Sequence, residues 1–354
     1  MQKTKFTELF DIPLPIIQAP MAGATTPELI AAVSNAGGLG SLGAGYMSPT
    51  EIKQTIKEIR ELTNKPFVVN LFIPEEYHVN SDQIKNACVA VSQCSMDLNI
   101  QIDTITEPYS QSFAEQVSVL IEEKIPVFSF TFGILSPELI VRFKKNNTLL
   151  IGTATTLAEA QLLEKNGIDA IAVQGSEAGG HRGSFLNNAE HSLIGLFVLL
   201  PSLVKHINIP IIASGGIMNG KGIVAAIAAG ASAVQMGTAF LSCQESGIPA
   251  AYKQTLLTQQ QDNTVLTRAF SGKLARGIEN KFIRCMNQKK QTILDYPIQN
   301  ALTTVVRKKA RENNNADFMS LWAGQSAMLC RNMAASELMS TLVLEAEAIA
   351  RNNN

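Results

Sequence analysis

Short apolar runs alternate with amphipathic helical stretches eight times along this chain, and that alternation limits its fold more than any other feature. The runs are Pro15–Met21, Leu39–Gly43, Pro66–Phe72, Val127–Phe132, Leu149–Thr153, Ala170–Val173, Pro210–Gly216 and Ala233–Thr238. Brief, nearly continuous apolar segments of this kind read as strands buried on both faces. Between them lie helical stretches such as Pro27–Val33, Pro137–Lys145, Leu157–Asn166, Leu193–Lys205 and Gly222–Ala229. Another follows Ser48-Pro-Thr-Glu51, a capping sequence, and carries Ile52, Ile56, Ile59 and Leu62 at helical spacing. Three helix-to-strand joints, Asn35-Ala-Gly37, Lys165-Asn-Gly167 and Ala228-Ala-Gly230, end on the glycine expected just past a helix. Eight strand–helix alternations over about 240 residues match the α/β class and, within it, a (β/α)8 TIM barrel. A doubly wound open sheet is the competitor. No strand-to-helix turn carries the dinucleotide fingerprint, which favours the barrel.

The rest of the chain departs from this rhythm. Residues 74–111 look like an insertion with one helical stretch, Asp82–Met96, and Phe113–Ile125 is helical again. Residues 245–320 are polar, rich in Gln, Asn, Lys and Thr, with no clear strands. The expected organisation is a barrel domain over 1–241, a smaller, mainly helical substrate or lid domain over 242–320, and a closing segment over 321–354. In that segment a helix over Ser326–Arg351 would place Met328, Leu329, Met333, Leu338 and Leu342 on a stripe packed against the barrel.

A formal net charge of −1, with 17% charged residues, gives no electrostatic case for nucleic acid or an anionic membrane as partner. The segment Met1–Glu8 lacks the apolar run of a signal peptide, and neither Leu193–Val204 nor Ala225–Leu241 reads as a membrane span. The expectation is a soluble, cytoplasmic protein. Its five cysteines (Cys88, Cys94, Cys243, Cys285, Cys330) are scattered and suggest reduced thiols, neither a disulfide framework nor a zinc site. The four histidines show no metal-ligand spacing, so no metal is expected.

Chemistry concentrates in the loop Gln174-Gly-Ser-Glu-Ala-Gly-Gly-His-Arg-Gly-Ser-Phe185, which leaves the C-terminal end of the sixth strand, where barrels keep their active sites. Its titratable groups are Glu177, His181 and Arg182, and His181 is the one that changes charge near neutral pH. Arg182, next in sequence, reads as structural. Ser214-Gly-Gly-Ile217 and Gln235-Met-Gly-Thr-Ala239 follow the last two strands, the usual phosphate site of such barrels. Their glycines can turn backbone N–H groups toward an anion, with Thr238 adding a hydroxyl. Neither loop contains Lys or Arg, which suits a tightly held cofactor phosphate gripped by amides. No Ser-His-Asp order, metal cluster or carboxylate pair offers another chemistry. Gln18, Asn70 and Gln174 stand near strand ends, where amides could bond the polar edge of a flavin-like ring.

Taken together, Gln18-Ala-Pro-Met-Ala-Gly23, Asn70-Leu-Phe-Ile-Pro74, Gly152-Thr-Ala-Thr-Thr156, Gln174–Phe185, Ala229–Leu241 and Trp322-Ala-Gly-Gln325 give the chain a resemblance to the class I nitronate monooxygenases, formerly 2-nitropropane dioxygenases. The resemblance implies an FMN-dependent oxygenase of nitroalkane detoxification. It would convert alkyl nitronates such as propionate 3-nitronate and O2 into carbonyl compounds and nitrite or nitrate, through a flavin semiquinone and without a nicotinamide. It implies FMN contacts at Asn70, Gln174, Gly179, Gly216, Gln235, Met236, Gly237 and Thr238, with His181 as the catalytic histidine. Tyrosines and a lysine line the family's substrate pocket. The corresponding tyrosines here are Tyr109, Tyr252 and Tyr296, while the lysine position falls on Thr304, with Arg307 or Lys308 as substitutes. A homodimer is the candidate assembly. Two alternatives stay open: an FMN-dependent NAD(P)H reductase of the enoyl-thioester or quinone type, and a barrel that binds a phosphate ligand without turnover.

Overall fold

A computed structural model describes residues 3–352; Met1 and Gln2, which open the charged N-terminal stretch discussed above, lie outside it, as do Asn353 and Asn354. Among the described residues the first six strands are β1 (Ile16–Gln18), β2 (Gly40–Gly43), β3 (Phe67–Phe72), β4 (Val127–Thr131), β5 (Leu149–Ala154) and β6 (Ala170–Gln174). A two-residue strand, β7 (Gly180–His181), precedes β8 (Ile211–Ser214) and β9 (Ala233–Met236). All but β7 form one parallel sheet in the order β1-β9-β8-β6-β5-β4-β3-β2. The sheet curls shut where the Gln18 amide donates to Leu39 O at 3.1 Å and the Leu39 amide to Ile16 O at 3.0 Å. The expected (β/α)8 TIM barrel is the observed architecture.

Strand pleating then sorts the barrel interior by height. Residues two apart share a face. Val68, Val127, Ile151, Ala172, Ile212 and Ala233 belong to one apolar cluster with Phe6 and Phe10 of the helix Lys5–Phe10. The two phenylalanine rings stack with centroids 4.2 Å apart and plug the N-terminal end of the barrel. Two residues further along each strand, the same inward face turns polar: Asn70, Ser129, Thr153, Gln174, Ser214 and Gln235. All six line a cavity at the other end. The outward faces pack under the surrounding helices, and the three joint glycines, Gly37, Gly167 and Gly230, all adopt positive φ.

A second core lies beside the cavity. It joins the helix Ser81–Cys94 of the 74–111 insertion to the helices Ala250–Leu257, Lys281–Asn287 and Ile298–Glu312. The region expected to lack strands contains two, β10 (Thr264–Thr267) and β11 (Ala275–Ile278), which pair antiparallel; β11 also pairs with β7, Ala275 opposite His181. These strands are too short to show a period in sequence, and their pairing partners lie elsewhere in the chain. A disulfide joins Cys94 to Cys285 across 191 residues, which corrects the reading of all five cysteines as reduced; spacing along the chain could not reveal so distant a pair. Cys88 and Cys243 are buried thiols and Cys330 is half-buried.

The final helix begins at Ala335 rather than Ser326. Upstream, Ser242 Oγ donates to Arg331 O at 2.8 Å and the Gln244 amide to Met333 O at 3.1 Å, bonds that hold this segment against residues 242–244 and out of a helix. The Glu245 carboxylate accepts the Ala335 amide at 2.9 Å and fixes the start. Leu338 and Leu342 do pack on the barrel helices, whereas Met328, Leu329 and Met333 precede the helix and Leu329 is exposed. No described helix is long and apolar enough to cross a membrane.

Candidate active site

The cavity above the polar ring of strand ends has a volume of about 410 Å³ less than a cubic nanometre can hold, at about 610 Å³, within the ~300–1,000 Å³ range of small-molecule sites. Its glycine-rich side is built by the turn after β8. Gly215 (φ +125°) and Gly216 (φ +69°) adopt left-handed conformations that L side chains resist. A Cβ on Gly216 would come within 3.6 Å of Ser326 Oγ, so this wall is shared with the late segment of the chain. Gly237 and Thr238 also line it. Thr238 Oγ1 accepts the Gly324 amide at 3.0 Å, so its hydroxyl ties the Trp322–Gln325 segment to the cradle.

The 174–185 loop is braced by its own residues. Gln174 Nε2 donates to His181 O and its Oε1 accepts the Gly183 amide, each at 2.9 Å, while the side chain still borders the cavity. Arg182 is buried beneath the loop and donates to Gln174 O at 2.6 Å and Ser192 Oγ at 3.2 Å; burial pulls its pKa down to about 10. That is the structural role expected for it. Glu177 accepts the Leu196 amide at 3.0 Å and so begins the helix Leu196–Val204. Gly179 has a reason of its own: a Cβ there would lie 2.4 Å from the backbone of Ala323 and Gly324, which crosses the loop.

Asn70 meets its sequence expectation in position, lining the cavity with Nδ2 donating to Ser129 Oγ at 2.9 Å. Gln18 does not. It is fully buried away from the cavity, accepts the Ser41 amide at 2.9 Å and donates to Ser41 O at 3.2 Å. Its amide stitches β1 to β2 at the barrel seam, so the sequence-based grouping of three amides around one ring is corrected to two.

His181 borders the cavity among aromatic rings, with centroids 5.4 Å from Trp322, 5.9 Å from Phe132 and 6.2 Å from Phe72. Its Nε2 lies 2.8 Å from Ser271 Oγ. Burial, aided by the Lys273 and Arg307 charges, pushes its pKa down to about 3, so the ring is neutral at ordinary pH. Lys273 itself pairs with Glu75 at 2.7 Å and sits 4.3 Å over the Phe132 ring.

The expected tyrosines separate. Tyr252 lines the cavity and its hydroxyl donates to Trp322 O. Tyr296 stands against Phe72 and Phe132, behind the lining residues, at centroid distances of 6.4 and 6.3 Å. Tyr109 lies in the second core beside Tyr77 and does not reach the cavity, because the insertion that carries it folds onto the satellite helices. Tyr46, not singled out in the sequence, takes a place in the lining instead. Thr304, Arg307, Lys308 and Arg311 project from one face of the helix Ile298–Glu312 onto the cavity. Arg307 donates through Nη2 to Asn300 Oδ1 at 2.8 Å and Thr304 Oγ1 at 3.0 Å, yet its buried Nε has no partner among the described residues. Tyr46 could have been found only once the fold had brought it to the cavity, whereas Arg307 is one of the two substitutes for the lysine already named from the sequence.

Known proteins resemble this chain over nearly its whole length. A family model described as nitronate monooxygenase matches residues 3–345. A probable nitronate monooxygenase of Staphylococcus saprophyticus is 44% identical over 348 residues, 98% of both chains. One from Staphylococcus aureus strain Newman is 44% identical over 342 residues, 96% of both. Among solved structures, a nitroalkane oxidase from Streptomyces ansochromogenes has a TM-score of 0.89 at 37% identity, covering 99% of this chain and 100% of its own. FabK from Thermotoga maritima has a TM-score of 0.79 at 31% identity, covering 99% and 98%.

Proposed function

The chain belongs to the nitronate monooxygenase family, and from that premise we propose that its barrel mouth binds FMN and presents an alkyl nitronate to it beside His181. The enzyme is a flavin-dependent oxidoreductase that oxidises nitronates. The observation that carries the finer reading is the meeting, around one cavity, of a positive-φ glycine pair, a polar ring of strand ends and a neutral imidazole.

The residues present suit FMN. Gly216 leaves room that a side chain would fill, and the Gly237–Thr238 turn adjoins it, a cradle for a phosphate held by amides. Asn70, Ser129, Thr153 and Gln174 supply uncharged hydrogen-bonding groups for a heteroaromatic ring. Gln235 and Met236 continue the same wall, and Gly179 serves by admitting the segment that closes over it. When bound, FMN supplies electron acceptance and the reaction with O2 that yields carbonyl compound and nitrite or nitrate. The protein's part is placement: aromatic rings exclude water around His181, and the imidazole contacts the nitronate as a neutral group.

The substrate's far end is taken up by the helix Ile298–Glu312. The buried, unpartnered Nε of Arg307 is a donor without an acceptor, and a carboxylate such as that of propionate 3-nitronate would satisfy it. Arg307 thereby replaces the lysine expected one turn earlier at Thr304. Tyr252 borders the same space. A cytoplasmic location belongs to this reading too, with the Cys94–Cys285 bond the one feature at odds with a reducing compartment.

Lys308 and Arg311 also line the cavity edge, and such cations would suit the phosphates of a nicotinamide cofactor. The reductase alternative rests on them. The test is a pair of measurements on the purified yellow protein: oxygen consumption with propionate 3-nitronate against ethyl nitronate, and flavin absorbance under anaerobic NADH or NADPH. Oxygen uptake with the nitronates and no bleaching supports the proposal. Rapid bleaching without nitronate turnover sinks it.

A further inference from the structure

The two ring nitrogens of His181 have different surroundings. Nε2 lies 2.8 Å from Ser271 Oγ, whereas Nδ1 makes no hydrogen bond among the described residues and the ring borders the cavity. Ser271 is buried on the turn between β10 and β11. Its oxygen accepts the Lys273 amide at 3.3 Å and lies 3.3 Å from Lys273 O, a carbonyl to which it can only donate. A serine hydroxyl has one proton and two lone pairs. All three contacts are satisfied together in a single arrangement. The proton goes to the Lys273 carbonyl, one lone pair takes the Lys273 N–H, and the other takes a proton carried on Nε2.

We propose that Ser271 is a positioning residue that holds the His181 imidazole in the Nε2–H tautomer, leaving the Nδ1 lone pair free as acceptor for the α-proton of a neutral nitroalkane. The inference rests on the reading of His181 as the active-site imidazole. Pairing of β7 with β11 fixes the histidine backbone to the strand that follows the Ser271 turn, so ring and hydroxyl are held by one small sheet. In the step itself, the substrate's Cα–H bond breaks and its electron pair stays behind as the nitronate. The proton passes to Nδ1, and the resulting imidazolium keeps its Nε2–H on Ser271 Oγ. A nitronate supplied ready-made needs no such transfer. To meet that anion with an Nδ1–H, the hydroxyl must turn from Lys273 O to Nε2 and give up one contact. Ser271 therefore matters more for nitroalkanes than for nitronates.

The test is ring 15N NMR of the flavin-loaded protein carrying labelled histidine, with the His181 signals assigned by their loss in His181→Asn. The wild type is expected to show Nε2–H. Ser271→Ala is expected to mix the tautomers and to lower kcat on nitroethane relative to ethyl nitronate by about tenfold, a part of the general-base contribution. Ser271→Thr, which keeps the hydroxyl, is expected to restore both. An Nδ1–H wild type would overturn the proposal, as would an alanine variant with unchanged tautomer and substrate ratio. The spectrum decides the matter even if neither compound is turned over, and the wild-type and Thr proteins decide it if the Ala variant does not fold.

Discussion

At the scale of single residues, the role proposed for His181 turns on its neutral state. Lys273 and Arg307 add their charges to the burial that keeps a proton off the ring, so the imidazole is a weak base beside a site that attracts anions. His181→Asn should retain flavin while losing nitroalkane activity by about 10²-fold or more, with a smaller loss on preformed nitronates. Initial rates on nitroethane and ethyl nitronate check this; equal losses would remove the base role. The same burial has a stability signature. The folded pKa lies below the unfolded value, so the unfolded chain takes up a proton that the folded ring refuses, and stability is lost as pH falls from about 6.5 toward 3. His181→Asn should flatten that fall, read as urea midpoints at pH 7 and pH 5. For Arg307, Arg307→Met should raise KM for propionate 3-nitronate by about tenfold or more, the loss expected of a charge-assisted hydrogen bond, and leave ethyl nitronate unaffected. Parallel changes on both substrates would show that the guanidinium only supports its helix.

At the scale of elements, the 174–185 loop and the Trp322–Gln325 segment form one unit. Gly179→Ala would drive a Cβ to 2.4 Å from the crossing backbone, an overpacking that costs about 1–3 kcal/mol and loosens the Thr238–Gly324 bond. Lowered thermal stability together with weaker flavin retention is the expected outcome, measured by melting and by absorbance after gel filtration. The barrel strands were legible because each carries a compact apolar run, and the inward amides Asn70 and Gln174 because they end such runs. Tyr46 and Ser271 were not legible, since each acquires its neighbours through contacts between distant segments. Tyr109 misled for the same reason: local motif placed it in the pocket, while the insertion that bears it found a larger apolar partner in the satellite helices. Gln18 shows the limit of strand-end reasoning, because a barrel seam needs bonded side chains as much as a ligand does.

At the scale of the whole molecule, two cores meet at the cavity, and the Cys94–Cys285 bond ties the insertion to the satellite helices within the second of them. Closing a loop of 191 residues stabilises by about 5 kcal/mol in the chain-entropy view. Cys94→Ser should therefore lower the melting temperature while leaving barrel circular dichroism intact; an unchanged melt would mean that the packing of Leu98, Phe282 and Met286 suffices without it. The dependence of the glycine loop on Gly324 also reaches beyond equilibrium. On the ribosome, all eight barrel strands emerge well before the crossing segment does, so the nascent barrel has a mouth with one wall missing. On the proposed binding mode, cofactor capture awaits near-completion of translation, and a chain stopped just short of Trp322 is expected to be released colourless.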